Sequence, residues 1–141
     1  MVKLWRYALF LPLVVWAIVA CSQGDPATDY SAERAEYLEI ANASVDVSGA
    51  DPVQMASEIF GSQGTVTEGN FVEEIVVSKQ DENTTVILVT QTGLADDSIE
   101  GIRYRLEFIP KGNEWLLNWA GQQMRCRRGE GAQEWTTEIC P

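Results

Sequence analysis

The stretch IRYRLEFIPKGNEWLLNWAGQQMR, residues 102–125, decides the fold. Its first residues set Ile102, Tyr104, Leu106 and Phe108 on one side of an extended chain, with Arg103, Arg105 and Glu107 on the other. A period of two marks a strand with one face on a core. The residues PKGN that follow supply turn chemistry. Beyond them Trp115, Leu117 and Trp119 again fall on one side. Two alternating runs joined by a short turn predict an antiparallel hairpin.

The same reading extends toward the N-terminus. TTVILVTQT, residues 84–92, is β-branched and apolar on both sides at its centre, as a buried central strand would be. FVEEIVVSK, residues 71–79, places Phe71, Ile75 and Val77 together, with Glu73 as the exception. DEN at 81–83 and the polar GLADDSIEG at 93–101 connect the runs. In DPVQMASEIFG, residues 51–61, Asp51 is a helix cap, Pro52 suits the first helical position and Gly61 the stop. Val53, Ala56, Ile59 and Phe60 form its apolar face, with Met55 beside it. SAERAEYLEIANA, residues 31–43, carries a second helical stripe through Ala35, Tyr37 and Leu38. Helices before strands predict an α+β domain over residues 31–141, with N-terminal helices packed on a roughly four-stranded antiparallel meander. This order resembles the cystatin-like and NTF2-like group, in which a helix lies across a curled antiparallel sheet. An architectural resemblance implies no activity.

Composition narrows the function. The 141 residues suffice for one domain, and 45% are hydrophobic, enough for a core. The formal charge of -11 argues against nucleic acid, whose phosphates require a basic footprint. The chain has no histidine. That removes Ser-His-Asp and Cys-His chemistry and the commonest metal ligand.

The N-terminus supplies an address. Lys3 and Arg6 precede an apolar run from Ala8 to Ala20, too short for the ~20 residues a bilayer span needs. A basic start, a short apolar middle and small residues at its end describe an export signal. IVAC, residues 18–21, resembles the lipobox of bacterial lipoprotein precursors. The resemblance implies a signal peptide over residues 1–20 and diacylglycerol on the Cys21 sulfur. Residues 21–30, with Gly24 and Pro26, then form a lipidated tether. Cleavage lowers Lys+Arg from 10 to 8 against 21 Asp+Glu, a formal charge of -13. The lipid makes the membrane a partner and places the domain in the cell envelope, facing the periplasm. Ser22 after the cysteine favours the outer membrane over the inner.

With Cys21 assigned to lipid, Cys126 and Cys140 remain as one pair, and an oxidising compartment lets them bond. The spacing is far from C-x-x-C, and two cysteines without histidine make a poor zinc site, so neither metal nor cofactor is expected. Arg125, Arg127 and Arg128 form the one dense basic group. They either dock an anionic group or acidic partner, with Trp135 as an anchor, or offset Glu130, Glu134 and Glu138 in a solvated loop. Tyr104, Phe108, Trp115 and Trp119 either line a ligand pocket or form plain core. Asp96, Asp97 and Glu100 lack the pattern of a calcium loop. No catalytic set emerges. The expectation is a non-enzymatic accessory or interaction protein of the envelope, with a small-ligand carrier as the alternative.

Overall fold

Thr85–Thr92 (β4) has Val86 and Ile87 side by side on opposite faces, and both are fully buried in the computed structural model. The structure describes residues 29–43, 47–63 and 70–141. The signal peptide, Cys21 and the tether up to residue 28 lie outside the described residues.

The earlier elements are Ser31–Arg34 (α1), Leu38–Glu39 (β1), Ser48–Gly49 (β2), Pro52–Phe60 (α2) and Val72–Gln80 (β3). Ile99–Lys111 (β5), Glu114–Cys126 (β6) and Trp135–Thr136 (β7) follow β4. All pairings are antiparallel, in the order β1-β6-β5-β4-β3, with β2 and β7 also on β6. The chain is therefore mostly antiparallel sheet.

Among the described residues a layer of N-terminal helices does not form. The stripe at 31–43 yields a single helical turn, α1, with no buried residue. One turn fixes backbone without enough hydrogen bonds to sustain itself. The chain satisfies its backbone instead on the edge of β6, where Leu38 faces Gln122 and Glu39 faces Gly121. Among the described helices only α2 delivers buried apolar side chains to the sheet, chiefly Met55 and Ala56. Asp51 caps it by accepting from the backbone N–H of Val53 at 2.8 Å and of Gln54 at 3.2 Å. Its buried face is rotated from the expected one, leaving Val53 and Ile59 exposed.

Met55 and Ala56 meet Ile87, Val89, Leu106, Phe108, Leu117 and Ala120 in one core, with Phe60, Ile75, Tyr104 and Trp115 packed around it. Each fully buried large apolar side chain contributes roughly 1.5–3 kcal/mol. Glu73, the charged exception on this side of β3, has its own work. Its Oε2 accepts from Ser62 N at 2.7 Å and Gln91 Nε2 at 2.8 Å. Gln91 Nε2 also donates to Phe60 O at 2.9 Å, so a polar cluster fastens the end of α2 to the sheet.

A bulge corrects the expected placement of Trp119. Along β5 and β6 the register passes from Glu107 opposite Trp119 to Phe108 opposite Leu117, leaving Asn118 as the extra residue. One extra residue inverts every side chain beyond it. Trp115 and Leu117 therefore stay with the core, while Trp119 turns to the opposite face.

Candidate functional site

The face of the sheet opposite α2 carries the charged half of the alternation in β5. Glu107 is fully buried there. It accepts from Arg105 Nε at 3.0 Å and from Arg34 Nε at 3.0 Å. Arg105 Nη1 pairs with Glu33 Oε2 at 2.8 Å, and Glu33 also pairs with Lys79 Nζ. Five charges thus alternate in sign from Lys79 through Glu33, Arg105 and Glu107 to Arg34. The lysine's hydrogen bond does most to hold the Glu33 carboxyl below its ordinary value, with Arg105 adding to it.

Aromatic rings roof this network. Arg34 lies 5.3 Å from the Trp119 ring centroid, and Arg105 lies 5.4 Å from that of Tyr30. Trp119 meets Tyr37 edge-on at 6.4 Å. Buried Arg105 Nη2 has no hydrogen-bond partner among the described residues, and the Tyr30 ring is the group at hand to offset its charge. The arrangement clamps residues 30–37 to the sheet. It is a fastening, with every ionised group answered by another.

The arginines near the C-terminus are likewise committed. Arg125 Nε donates to Glu100 Oε2. Arg127 Nε donates to Asp96 O at 2.7 Å and its Nη2 to Leu94 O. Arg128 Nη2 reaches Asp97 O at 3.3 Å. The three side chains thus tie the end of β6 and the C-terminal loop to the β4–β5 connection and the start of β5, and their partners are Glu100 and backbone carbonyls instead of Glu130, Glu134 and Glu138. Trp135 sits between the guanidinium groups of Arg103, at 4.2 Å, and Arg125, at 5.2 Å. It is a stacked ring and not a projecting anchor. Cys126 and Cys140 are disulfide-bonded. Closing a loop of about fifteen residues contributes ~3 kcal/mol in the chain-entropy model. Ser98 Oγ donates to Pro141 O at 2.7 Å, completing the closure.

Clefts of about 440 Å³ flank this disulfide, one bordered by Asp96, Asp97, Met124 and Ile139. One of the lining carboxylates is already engaged. Asp96 accepts from Ile99 N at 2.6 Å and Ser98 N at 2.9 Å, bonds that lower its pKa. Glu100 is held below its ordinary value chiefly by Arg125, with the Gly93 N–H adding to it. Among the described residues no group of His, Cys, Asp and Glu stands ready to hold a metal.

Of the two readings of Tyr104, Phe108, Trp115 and Trp119, three residues take the core one. Phe108 is fully buried in the core, Tyr104 stacks on Phe60 with centroids 4.8 Å apart, and Trp115 packs beside them. Burial raises the Tyr104 phenol above its ordinary pKa. Trp119 faces the other way.

What remains open is an edge. The outer side of β6 is covered along its length by β2 at Trp115 and Leu116, β1 at Gly121 and Gln122, and β7 at Met124 and Arg125. The outer side of β3 pairs with no strand among the described residues. Its valines are exposed, Val72 by 59%, Val76 by 40% and Val77 by 46%. The signal for this surface was present in FVEEIVVSK, where consecutive valines give apolar side chains to both faces of one strand. Which strand ends the sheet is settled only by the pairing.

No protein-family model matches the chain, and neither a curated protein nor a solved structure is found to be similar to it.

Proposed function

We propose that this chain is a lipid-anchored protein of the bacterial cell envelope that works by binding another protein, without catalysing a reaction. The reading of the address rests on IVAC at residues 18–21, with Cys21 as the lipidated residue and the outer membrane as the favoured site. The observation that carries the binding role is the contrast between the two sheet edges. Open strand edges template pairing with another chain, so proteins normally blunt or cover them. Here one edge is closed by short strands and the other displays Val72, Val76 and Val77. An added strand supplies main-chain hydrogen bonds for affinity and side-chain contacts for specificity. For the finer architecture we propose the cystatin-like or NTF2-like arrangement, supported by α2 lying against a long antiparallel meander.

Two experiments divide the reading. Globomycin should cause the unprocessed precursor to accumulate, and mass analysis should find acyl groups on Cys21. An unmodified Cys21 in the mature protein ends the lipoprotein assignment. A photo-crosslinking residue at Val72 or Val76 should capture one discrete protein partner in living cells, while the same residue at exposed Lys111 should not. Equal labelling at all three sites, or none, ends the binding role.

A further inference from the structure

The open edge is complementary to itself, and we propose that β3 pairs antiparallel with β3 of a second copy about a two-fold axis at Val76. The inference rests on reading β3 as a binding edge and goes further by naming its occupant.

The argument is one of register. Against β4, Val76 faces Leu88, Val77 faces Ile87 and Lys79 faces Val86, so Ser78 is bulged out. The in-register positions are therefore Val72 to Val77, then Lys79 and Gln80. Side chains directly opposite in an antiparallel pair lie on the same face. A two-fold axis at Val76 sets Val76 against Val76, Ile75 against Val77, Glu74 against Lys79 and Glu73 against Gln80. Each pair shares a face. The apolar residues meet apolar residues, and the charges meet in opposite sign twice over by symmetry. Such an isologous contact closes on itself and does not propagate into a fibre.

Neighbouring registers fail. A slip by one position sets the two faces against each other. A slip by two in one direction puts Val76 opposite Glu74 and Val72 opposite Lys79. In the other direction it puts Val76 opposite Lys79. Both bury an aliphatic side chain against a charge and leave the carboxylates without a cation. The pairing at Val76 alone satisfies both kinds of residue. Lipid anchors on one membrane would raise the local concentration of the two copies.

The test uses the full chain purified in detergent. Sedimentation should show a dimer for the wild type. Lys79→Glu should shift it to monomer, weakening association at least tenfold, and adding Glu74→Lys should restore the dimer. Both variants lose the Lys79–Glu33 contact, so the recovery reads the intermolecular pair. Val76→Cys should form disulfide-linked dimers on mild oxidation, and Val72→Cys, which has no opposite residue in this register, should not. A monomeric wild type, absence of recovery in the double variant, or equal cross-linking at both positions would overturn the proposal. If the crosslinker at Val76 captures a different envelope protein in cells while the purified chain is monomeric, the self-pairing is wrong and the binding edge stands.

Discussion

Arg105 Nε and Glu107 Oε1 are 3.0 Å apart, two residues along one strand, with side chains 5% and 1% exposed. Residues two apart on a strand share a face. This ion pair therefore does not join two elements by itself. It becomes a clasp because each member has a second partner on the segment 30–37, Arg34 for Glu107 and Glu33 for Arg105. A sheet face that would otherwise be wet thereby holds the root of the proposed tether.

The clasp predicts unequal costs for its two carboxylates. Glu107→Gln keeps the side chain's shape but leaves Arg105 and Arg34 facing a neutral group in a buried site. Removing one partner of a buried pair costs on the order of 3–5 kcal/mol, because the remaining charge stays desolvated. Glu33 is 37% exposed, and its loss should cost about 1 kcal/mol or less. Urea unfolding of both variants measures the difference. Equal, small losses would show that Glu107 is not held as a buried ion.

Acid should weaken the staple at Glu100. Its carboxyl lies below the ordinary value of 4.5, mainly through Arg125. A group with a depressed folded value binds fewer protons when folded. Its contribution is full above 4.5 and disappears as pH falls through the lower folded value. Glu100→Gln should therefore be less stable than wild type at neutral pH, and the gap should narrow well below 4.5. A gap that stays constant across the acid range would mean that the ion pair adds nothing.

Much of the sheet was legible in residues 71–125 because alternation reports burial directly. Ile102 to Phe108 sorted onto their faces as the pattern required, and TTVILVTQT occupies an interior strand. The Asp51–Pro52 start of α2 was legible too, since capping is local chemistry. Three features were not. A single helical turn at 31–34 and an amphipathic stripe look alike until the chain finds a better hydrogen-bonding partner in β6. Arginines at 125, 127 and 128 look free until Glu100 and the loop carbonyls at 94–97 arrive from far along the chain. Trp119 looked like the third member of a stripe because a bulge has no signature in the periodicity it interrupts.

That bulge supports a last prediction. With Trp119 on the face opposite α2, its ring lies over Gly121, and a Cβ built there would stand 2.3 Å from the Trp119 ring and 2.9 Å from Tyr37 Cβ. The glycine is needed for its lack of a side chain and not for an unusual backbone. Gly121→Ala should drive Trp119 off the sheet, loosen Tyr37 and destabilise the protein by about 1–3 kcal/mol, as overpacking does. Deleting Asn118 should leave Trp119 on its present face, since Leu117 and Trp119 then become consecutive in a regular ladder opposite Phe108 and Glu107, so only the Gly121 substitution should disturb the ring. Near-ultraviolet circular dichroism and tryptophan fluorescence read the ring's surroundings, and urea unfolding reads the cost. Wild-type spectra and stability in Gly121→Ala would show that Trp119 does not lie on Gly121.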